Sequence, residues 1–505
     1  MADAERNQAH AARLSNGMDA DLHRGGRSMT AYADGTPPEV MVRRDTRLAL
    51  LSQVLCVVIP LAVWFAPLNL APQTQHGLAI VAFMIWAWMT QVMEFALAGF
   101  IGCFLFWALG VVRFPVAFSG FANDTAWFLL GAMLLGRVAS KSGLARRLAY
   151  SVMLSVGTTY SRILFGLIAT DFLLTFMVPS GIARVVILAS IALALVEAFR
   201  AEKGSNIARG MFLILTYTGN LFDKMVLAGA GSITAAGIMT RVGGVDVLWG
   251  EWLFAFLPCS IITVLVAWRL TLWLYPPERS SLAGGKEFFR KELASMGAWS
   301  LAEKKAALLI GAAILLWVTD FLHHLPPAMI ALGAGLAALL PFVDILDEHD
   351  MRTVNYLPVF FVAAAVSMGN VLEASKGLDV LTDAVFGSIG PFLGNIVTTT
   401  AIMYWAGFIY HFFLASEISM LGTSMPLVMA FAKSHGMNPL VLGLIWTFSA
   451  GGKLFAYQSG VLIVGYSYGY FEARDLVRIG AWLTVVEFVI LMLLVPFYWP
   501  LIGIY

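Results

Sequence analysis

The chain has 505 residues, of which 59% are hydrophobic and 12% are charged, and its mean hydropathy is +0.80. A water-soluble protein of this length cannot bury so much apolar surface, so the composition predicts an all-α polytopic membrane protein surrounded by the lipid bilayer. The net charge of +1 argues against nucleic acid as a partner.

Residues 1–46 are polar and contain no apolar run of signal-peptide length, so we expect a disordered cytoplasmic tail there. Residues 47–112 hold the first three apolar segments, interpreted as scaffold helices. A polar loop, 276–303, divides the rest into 113–275 and 304–505. The predicted apolar segments are 47–66, 78–93, 95–112, 125–141, 160–178, 183–200, 210–239, 252–275, 304–321, 327–343, 357–373, 395–414, 419–432, 439–470 and 477–499.

We assume that the two segments within 160–200 form a pair that enters and leaves the membrane on the same side, and that those within 395–432 do the same. Lys and Arg then concentrate in alternate loops. Because cytoplasmic loops carry the excess of Lys and Arg, this bias predicts a cytoplasmic N-terminus and an outside C-terminus. The expected location is a bacterial-type cytoplasmic (inner) membrane. The bias does not distinguish full spans from re-entrant hairpins, because both give the same parity.

The chain also resembles itself. FLLGAMLLGRVASKSGL from Phe128 aligns with FFVAAAVSMGNVLEASKGL from Phe360, and Lys224 aligns with Lys453 at a similar offset. Two such halves separated by an odd number of crossings have opposite orientations, which is typical of secondary transporters. The alternative is that Gly/Ala-rich helices look alike without any repeat. Agreement of several features favours an inverted-topology repeat of 113–275 and 304–505.

Pro179, Ser180 and Gly181 interrupt an apolar run, and Arg184 follows one turn later. A broken helix at membrane depth is tolerated where it lines a polar cavity, and the new helix N-terminus directs amides toward that cavity. The residues therefore predict an anion site. The alternatives are a plain turn between two spanning helices, and an Arg184 that snorkels or pairs with Asp171 across the hairpin.

Several stretches carry a family resemblance. VPSGIARVVILAS, from Val178, resembles the Pro-Ser-Asn-Thr-Ala-Arg signature of the divalent anion:sodium symporter family (solute carrier family 13). HFFLASEISMLGTSMP, from His411, resembles the second signature hairpin of the bacterial dicarboxylate and citrate exchanger branch. AYQSGVLIVGYSYG, from Ala456, resembles the segment that follows. The resemblance runs from about Thr46 to Tyr505.

The resemblance implies a homodimer of protomers that each have a scaffold and a mobile transport domain. It implies two re-entrant hairpins at 160–200 and 395–432, about 11 transmembrane helices and elevator-type movement. The expected function is secondary active transport of a small divalent organic anion, such as succinate, malate or 2-oxoglutarate, by sodium symport or anion exchange. The alternatives are a permease for sulfate or another inorganic anion and a proton-coupled carrier.

The family's two Ser-Asn-Thr tips correspond to Ser180–Ile182 and Ser416–Ile418, where both asparagines and both threonines are replaced. The resemblance places sodium near Ser180 and Ser416, and no other cofactor is expected. The predicted substrate-binding residues are Ser180, Gly181, Ile182, Arg184, Ser416, Glu417, Ile418, Ser232, Ser459 and Gly460. The predicted coupling-ion or charge-compensating residues are Gly229, Gly231, Lys224, Lys453, Gln458 and Asp171.

Lys224 and Lys453 lie at corresponding places in the two halves, each before a stretch of small or polar residues. A charge deep in a membrane protein is costly and usually functional. One hypothesis is that the two ammonium groups replace sodium and that Glu417 carries a proton. The alternative is a set of structural ion pairs, such as Lys453 with Glu417.

Other classes fit the sequence less well. A membrane enzyme needs a nucleophile–base pair or a metal cluster, and no HExxH motif is present. A channel predicts flux without saturation. The charged residues Glu94, Asp320 and Glu487 are expected to make local hydrogen bonds.

Overall fold

The computed structural model describes residues 46–178, 180–281, 285–386, 392–414 and 416–505. The predicted tail lies outside these residues, except for Thr46. The described residues contain no strand beyond an isolated bridge between Thr159 and Ser281. The main helices are α1 Thr46–Phe65, α2 Pro72–Thr90, α3 Phe95–Ala108, α4 Asp124–Lys141, α5 Leu144–Val156, α6 Tyr160–Thr175, α7 Gly181–Ala198, α8 Asn206–Asp223, α9 Ala230–Ile238, α10 Trp249–Leu274, α11 Glu287–Ser295, α12 Leu301–Val318, α13 Pro327–Ala337, α14 Leu357–Ala374, α15 Gly377–Phe386, α16 Ile396–His411, α17 Glu417–Ser434, α18 Pro439–Ser449, α19 Gly460–Ser467 and α20 Ala473–Leu493.

The protein is an all-helical membrane protein with several apolar helices. By length and hydropathy, four helices of the described chain are able to span a membrane, and the bent pair α4–α5 gives a fifth if it counts as one span. The axes of that pair differ by 64°. The four single helices are Gly181–Ala198, Trp249–Leu274, Leu357–Ala374 and Ala473–Ile502.

Most predicted segments correspond to helices, and the differences fall into two kinds. The segments 210–239 and 439–470 are each divided, into α8 and α9 and into α18 and α19. Three helices, α5, α11 and α15, were not predicted, because their polar faces interrupt the apolar run on which the prediction depended.

Helices α4 to α10 and α14 to α20 follow one another in the same order and with the same breaks. In each half, the helix after the hairpin packs against both of its arms: α8 contacts α6 and α7, and α18 contacts α16 and α17. The short helices cross over, since α9 packs on α17 and α19 packs on α7. The crossing brings both hairpin tips to the helix breaks of the opposite half.

The loop before α14 is joined to α4 by ion pairs. Lys141 Nζ contacts Asp347 Oδ2 at 2.8 Å and also pairs with Asp350, which Arg137 Nε contacts at 3.0 Å. The hydrogen bond from Lys141 lowers the pKa of Asp347 to about 2. Asp350 is buried while Asp347 is exposed. This cluster therefore joins the first half to the start of the second.

Candidate functional site

The first tip lies between α6 and α7. The exposed residue Ser180 precedes α7, and its Oγ accepts a hydrogen bond from Ala183 N at 3.3 Å. The next amide, Gly181 N, donates to Asp223 Oδ1 at 3.0 Å. Pro179, at which the break was predicted, lies outside the described residues. The helix nevertheless ends at Thr175 and restarts at Gly181, as the sequence predicted.

Arg184 is fully buried behind this tip. Its Nε donates to Asp171 Oδ1 at 2.9 Å, so the predicted pairing with Asp171 is present. Its Nη1 donates to Val178 O at 3.0 Å, and its Nη2 donates to Gly219 O at 2.8 Å. A guanidinium that binds protein acceptors through all three nitrogens fixes backbone geometry. Arg184 therefore holds the tip in shape and neutralises its acids.

The second tip lies between α16 and α17. Ser416 caps α17, with its Oγ accepting from Ser419 N at 3.1 Å. Glu417, the first residue of the helix, accepts a short hydrogen bond from Lys453 Nζ. Lys453 lies between α18 and α19, and it also donates to Asn220 Oδ1 at 2.6 Å. The ion pair of Lys453 with Glu417, one of the two alternatives left open by the sequence, is present.

Lys224 makes a different pair. Its Nζ donates to Glu487 Oε1 at 2.6 Å, and both side chains are at most 2% exposed. The expectation that Glu487 bonds locally is wrong, because its partner lies in the other half of the chain. The same expectation is wrong for Asp320, which accepts from Trp249 N at 2.7 Å, and it is confirmed for Glu94, which caps α3.

Each tip touches the broken helix of the opposite half. A methyl group added at Gly460 would lie 2.9 Å from Ile182 Cδ1, so the first tip abuts the start of α19. A methyl group added at Gly231 would lie 3.0 Å from Glu417 Oε1, so the second tip abuts the start of α9. The site is thus built from both halves.

The predicted polar residues of the two helix breaks form hydrogen bonds with the backbone of the interrupted segments. Ser232 Oγ donates to two carbonyl groups of the segment 224–229, at 2.9 and 3.0 Å. Gln458 Oε1 accepts from two backbone amides of the segment 450–459, at 2.7 and 2.9 Å. Ser459 caps α19. These side chains supply the hydrogen bonds that the interrupted helices lack.

Several buried polar atoms near the tips have no hydrogen-bond partner within the described ranges, among them Asn220 Nδ2, Ser419 Oγ and Gln458 Nε2. Buried donors are rarely left unpaired, so such atoms are candidate contacts for a bound ligand. Asn220 was missed by the sequence reasoning. The signal was a single amide at the polar end of an apolar helix, four residues before the predicted Lys224.

Several oxygens of the described residues at these tips are bound to protein cations and are not free to hold a sodium ion. At the first tip, Arg184 occupies the carbonyl oxygens of Val178 and Gly219. At the second, the ammonium of Lys453 is bonded to both Glu417 and Asn220. Sodium needs free oxygen ligands, and a second cation beside a buried ammonium is repelled. The predicted sodium near Ser180 and Ser416 thus meets oxygens that are already paired with protein cations.

Similarity to known proteins extends over nearly the whole chain. Residues 47–505 match the family model described as the sodium:sulfate symporter transmembrane region. The chain is similar to the putative malate transporter YflS of Bacillus subtilis, with 23% identity over 92% of this chain and 98% of the relative. It is similar to the citrate/succinate antiporter of Escherichia coli K12, with 24% identity over 77% and 80% of the two chains.

A solved structure shares the fold. The structure of Neisseria gonorrhoeae MtrF, which illuminates a class of antimetabolite efflux pumps, has a TM-score of 0.54 and 13% sequence identity to this chain. The likeness covers 90% of this chain and 95% of that one. It supports a membrane transporter fold.

Proposed function

The chain belongs to the sodium:sulfate symporter transmembrane family, and from this premise we propose that it carries a small dicarboxylate, such as succinate or malate, across a cell membrane. It is a transporter and not an enzyme. The relatives named as a malate transporter and as a citrate/succinate antiporter support the substrate class.

The observation that carries the proposal is the meeting of two serine-capped tips with the starts of two short helices. Ser180 and Ser416 cap α7 and α17, and these helices face α19 and α9. Four helix N-termini thus direct their positive dipole ends toward one region. A dianion with a carboxylate at each end suits this arrangement, because one carboxylate can face each hairpin tip.

The mechanism we propose is alternating access of the elevator type. The mobile part would comprise the two hairpins with α8–α9 and α18–α19, and the remaining helices would form the scaffold. The matching order of α4–α10 and α14–α20 supports an inverted repeat with re-entrant hairpins and about 11 spans. We further propose a homodimer in a bacterial inner membrane, with the N-terminus inside and the C-terminus outside.

Uptake of radiolabelled succinate into proteoliposomes tests the proposal. We expect saturable uptake, stimulated by internal succinate, that protein-free liposomes lack. Uptake that rises linearly with concentration would indicate a channel. Inhibition by excess sulfate, with no inhibition by malate, would favour an inorganic-anion permease. No succinate uptake under any gradient would reject the dicarboxylate assignment.

A coupling mode without sodium is favoured by one observation, the bonding of Lys453 to both Glu417 and Asn220. We therefore expect succinate uptake to be equal in sodium and in choline buffers. Uptake that requires an inward sodium gradient would mean that these side chains separate to admit the ion.

A further inference from the structure

We propose that Glu417 is an internal counter-ion of Lys453 and that a carboxylate of the substrate displaces it. This inference rests on the proposed function, because it assumes that a carboxylate enters between the tips. In this role Glu417 competes with the substrate for Lys453 and does not itself bind the substrate. The empty carrier is stabilised by its own carboxylate, and substrate binding is an exchange of one carboxylate for another.

The position of Glu417 permits such an exchange. Its side chain is 10% exposed and stands on the first turn of α17, where the hairpin reverses direction. The lysine side chain that it contacts is 1% exposed and anchored by Asn220. The carboxylate is therefore the more exposed member of the pair, while the ammonium is held by Asn220.

The surroundings that Glu417 would leave behind suit a carboxylate. Lys453 keeps one bond to Asn220 Oδ1, and Asn220 Nδ2, on the same amide group and 1% exposed as a residue, has no partner among the described atoms. The first turn of α9 begins beside Glu417 Oε1 and has no capping side chain. An ammonium, an amide N–H and free helix amides together match the acceptors of one carboxylate.

Charge decides what happens to Glu417 when the substrate enters. Lys453 faces it from the break between α18 and α19, Asp223 faces it from the end of α8, and Arg184 lies behind Asp223. With Asp171, these groups already include more acids than bases. Adding a dianion would leave uncompensated negative charge in a poorly solvated site, which is strongly unfavourable. A proton from solvent neutralises the displaced Glu417, so each binding event takes up a proton.

The test compares Glu417→Gln with wild type as full-length protein in sodium-free proteoliposomes. The KM for succinate is measured from about pH 6.5 to about pH 8.5, where carboxylic acids in water stay ionised. We expect the wild-type KM to rise with pH, by up to about tenfold per unit. The KM of Glu417→Gln should be independent of pH and lower than wild type at the alkaline end.

The matched control is Glu487→Gln, which neutralises the glutamate of the other lysine pair and should keep the wild-type slope of KM against pH. A second measurement uses wild type alone: succinate added to unbuffered protein should cause uptake of about one proton per molecule bound. If Glu417→Gln folds poorly, Glu417→Asp keeps the charge with a shorter reach and should retain the slope with a lower alkaline KM.

The outcomes separate the two proposals. Saturable succinate uptake by wild type with the same pH slope in Glu417→Gln, or no proton uptake on binding, would overturn the displacement of Glu417 and leave the dicarboxylate transporter standing. A raised KM in Glu417→Gln at every pH would make Glu417 a direct ligand and also overturn the inference. No succinate uptake by wild type would overturn both.

Discussion

Two lysines at corresponding places in the halves of this protein each pair with a glutamate, yet the surroundings of the two pairs differ. Lys224 and Glu487 are sealed between α10, α18 and α20, with the lysine Nζ 5.8 Å from the centre of the Phe448 ring. Lys453 and Glu417 meet where a hairpin tip, a helix break and the end of α8 converge. The same chemistry is thus placed once in the interior and once at a hairpin tip.

The difference indicates that the surroundings of a buried ion pair decide its role. A sealed pair cannot exchange partners, because separating it would leave two charges without solvent. A pair at a hairpin tip has an alternative partner whenever a charged substrate arrives. The residue types alone do not distinguish the two cases, whereas the exposure of the glutamate does.

Lys224→Ala should give the largest effect and test the sealed half of the comparison. It leaves Glu487 buried and unpaired, and breaking a buried pair in this way costs about 3–5 kcal/mol. We expect a large fall in the free energy of unfolding in detergent, measured by thermal or chemical denaturation. The double variant Lys224→Met with Glu487→Leu should recover most of the loss, and failure to recover would mean that the pair does more than compensate charge.

The loop that seals this pair gives a second test. A methyl group at Gly451 would lie 1.4 Å from Lys224 Nζ, so Gly451→Ala forces the ammonium away from Glu487. We expect a loss of about 1–3 kcal/mol of stability, which is usual for overpacking of a filled interior.

The control for Gly451→Ala is Gly333→Ala in α13, where the added methyl group would meet nothing within 4 Å. Because alanine favours a helix over glycine, this variant should be neutral or slightly more stable. Equal stability of the two variants in thermal unfolding would contradict the sealed environment.

Much of this arrangement was readable in the sequence. Ser180 and Ser416 are N-caps followed by apolar runs, and such caps predict helix starts. The helix breaks followed from proline, glycine and polar residues within segments too apolar to be loops. The family resemblance, now supported by a model match over residues 47–505, gave the order of the elements.

The pairing of charges was not readable in the same way. Lys224 follows α8 and Glu487 lies on α20, so the two belong to different halves, and no local pattern reports that they meet. Asn220 was missed because a single amide in a helix has no motif. The crossing of α9 onto α17 and α19 onto α7 decides which tip faces which break, and it arises only in three dimensions.

Arg184 extends the comparison to a third buried cation, at the first tip. Lysine is a point charge and cannot hold Asp171, Val178 O and Gly219 O together as the planar guanidinium does. Arg184→Lys should therefore keep the charge but loosen the tip, lowering the succinate uptake rate by at least about tenfold.

The control for Arg184→Lys is Arg269→Lys, because Arg269 is exposed and stacks on Trp268. We expect the uptake rate of this variant to stay close to wild type. Wild-type uptake in Arg184→Lys would show that only the charge matters at the first tip.

The pair of Lys141 with Asp347 places the same chemistry in solvent, and it should give the smallest effect. The folded-state pKa of Asp347, about 2, lies below its unfolded value of about 3.9. The stabilisation is therefore complete above about pH 4 and is lost as the pH falls toward about 2.

Thermal unfolding of Asp347→Asn at neutral pH should match wild type within error, because exposed pairs contribute little. Asp350→Asn removes the buried carboxylate beside it and should cost about 1–3 kcal/mol. Equal losses of stability in the two variants would mean that the contribution of an ion pair does not depend on the exposure of its carboxylate. Exposure would then not distinguish the roles of Glu487 and Glu417.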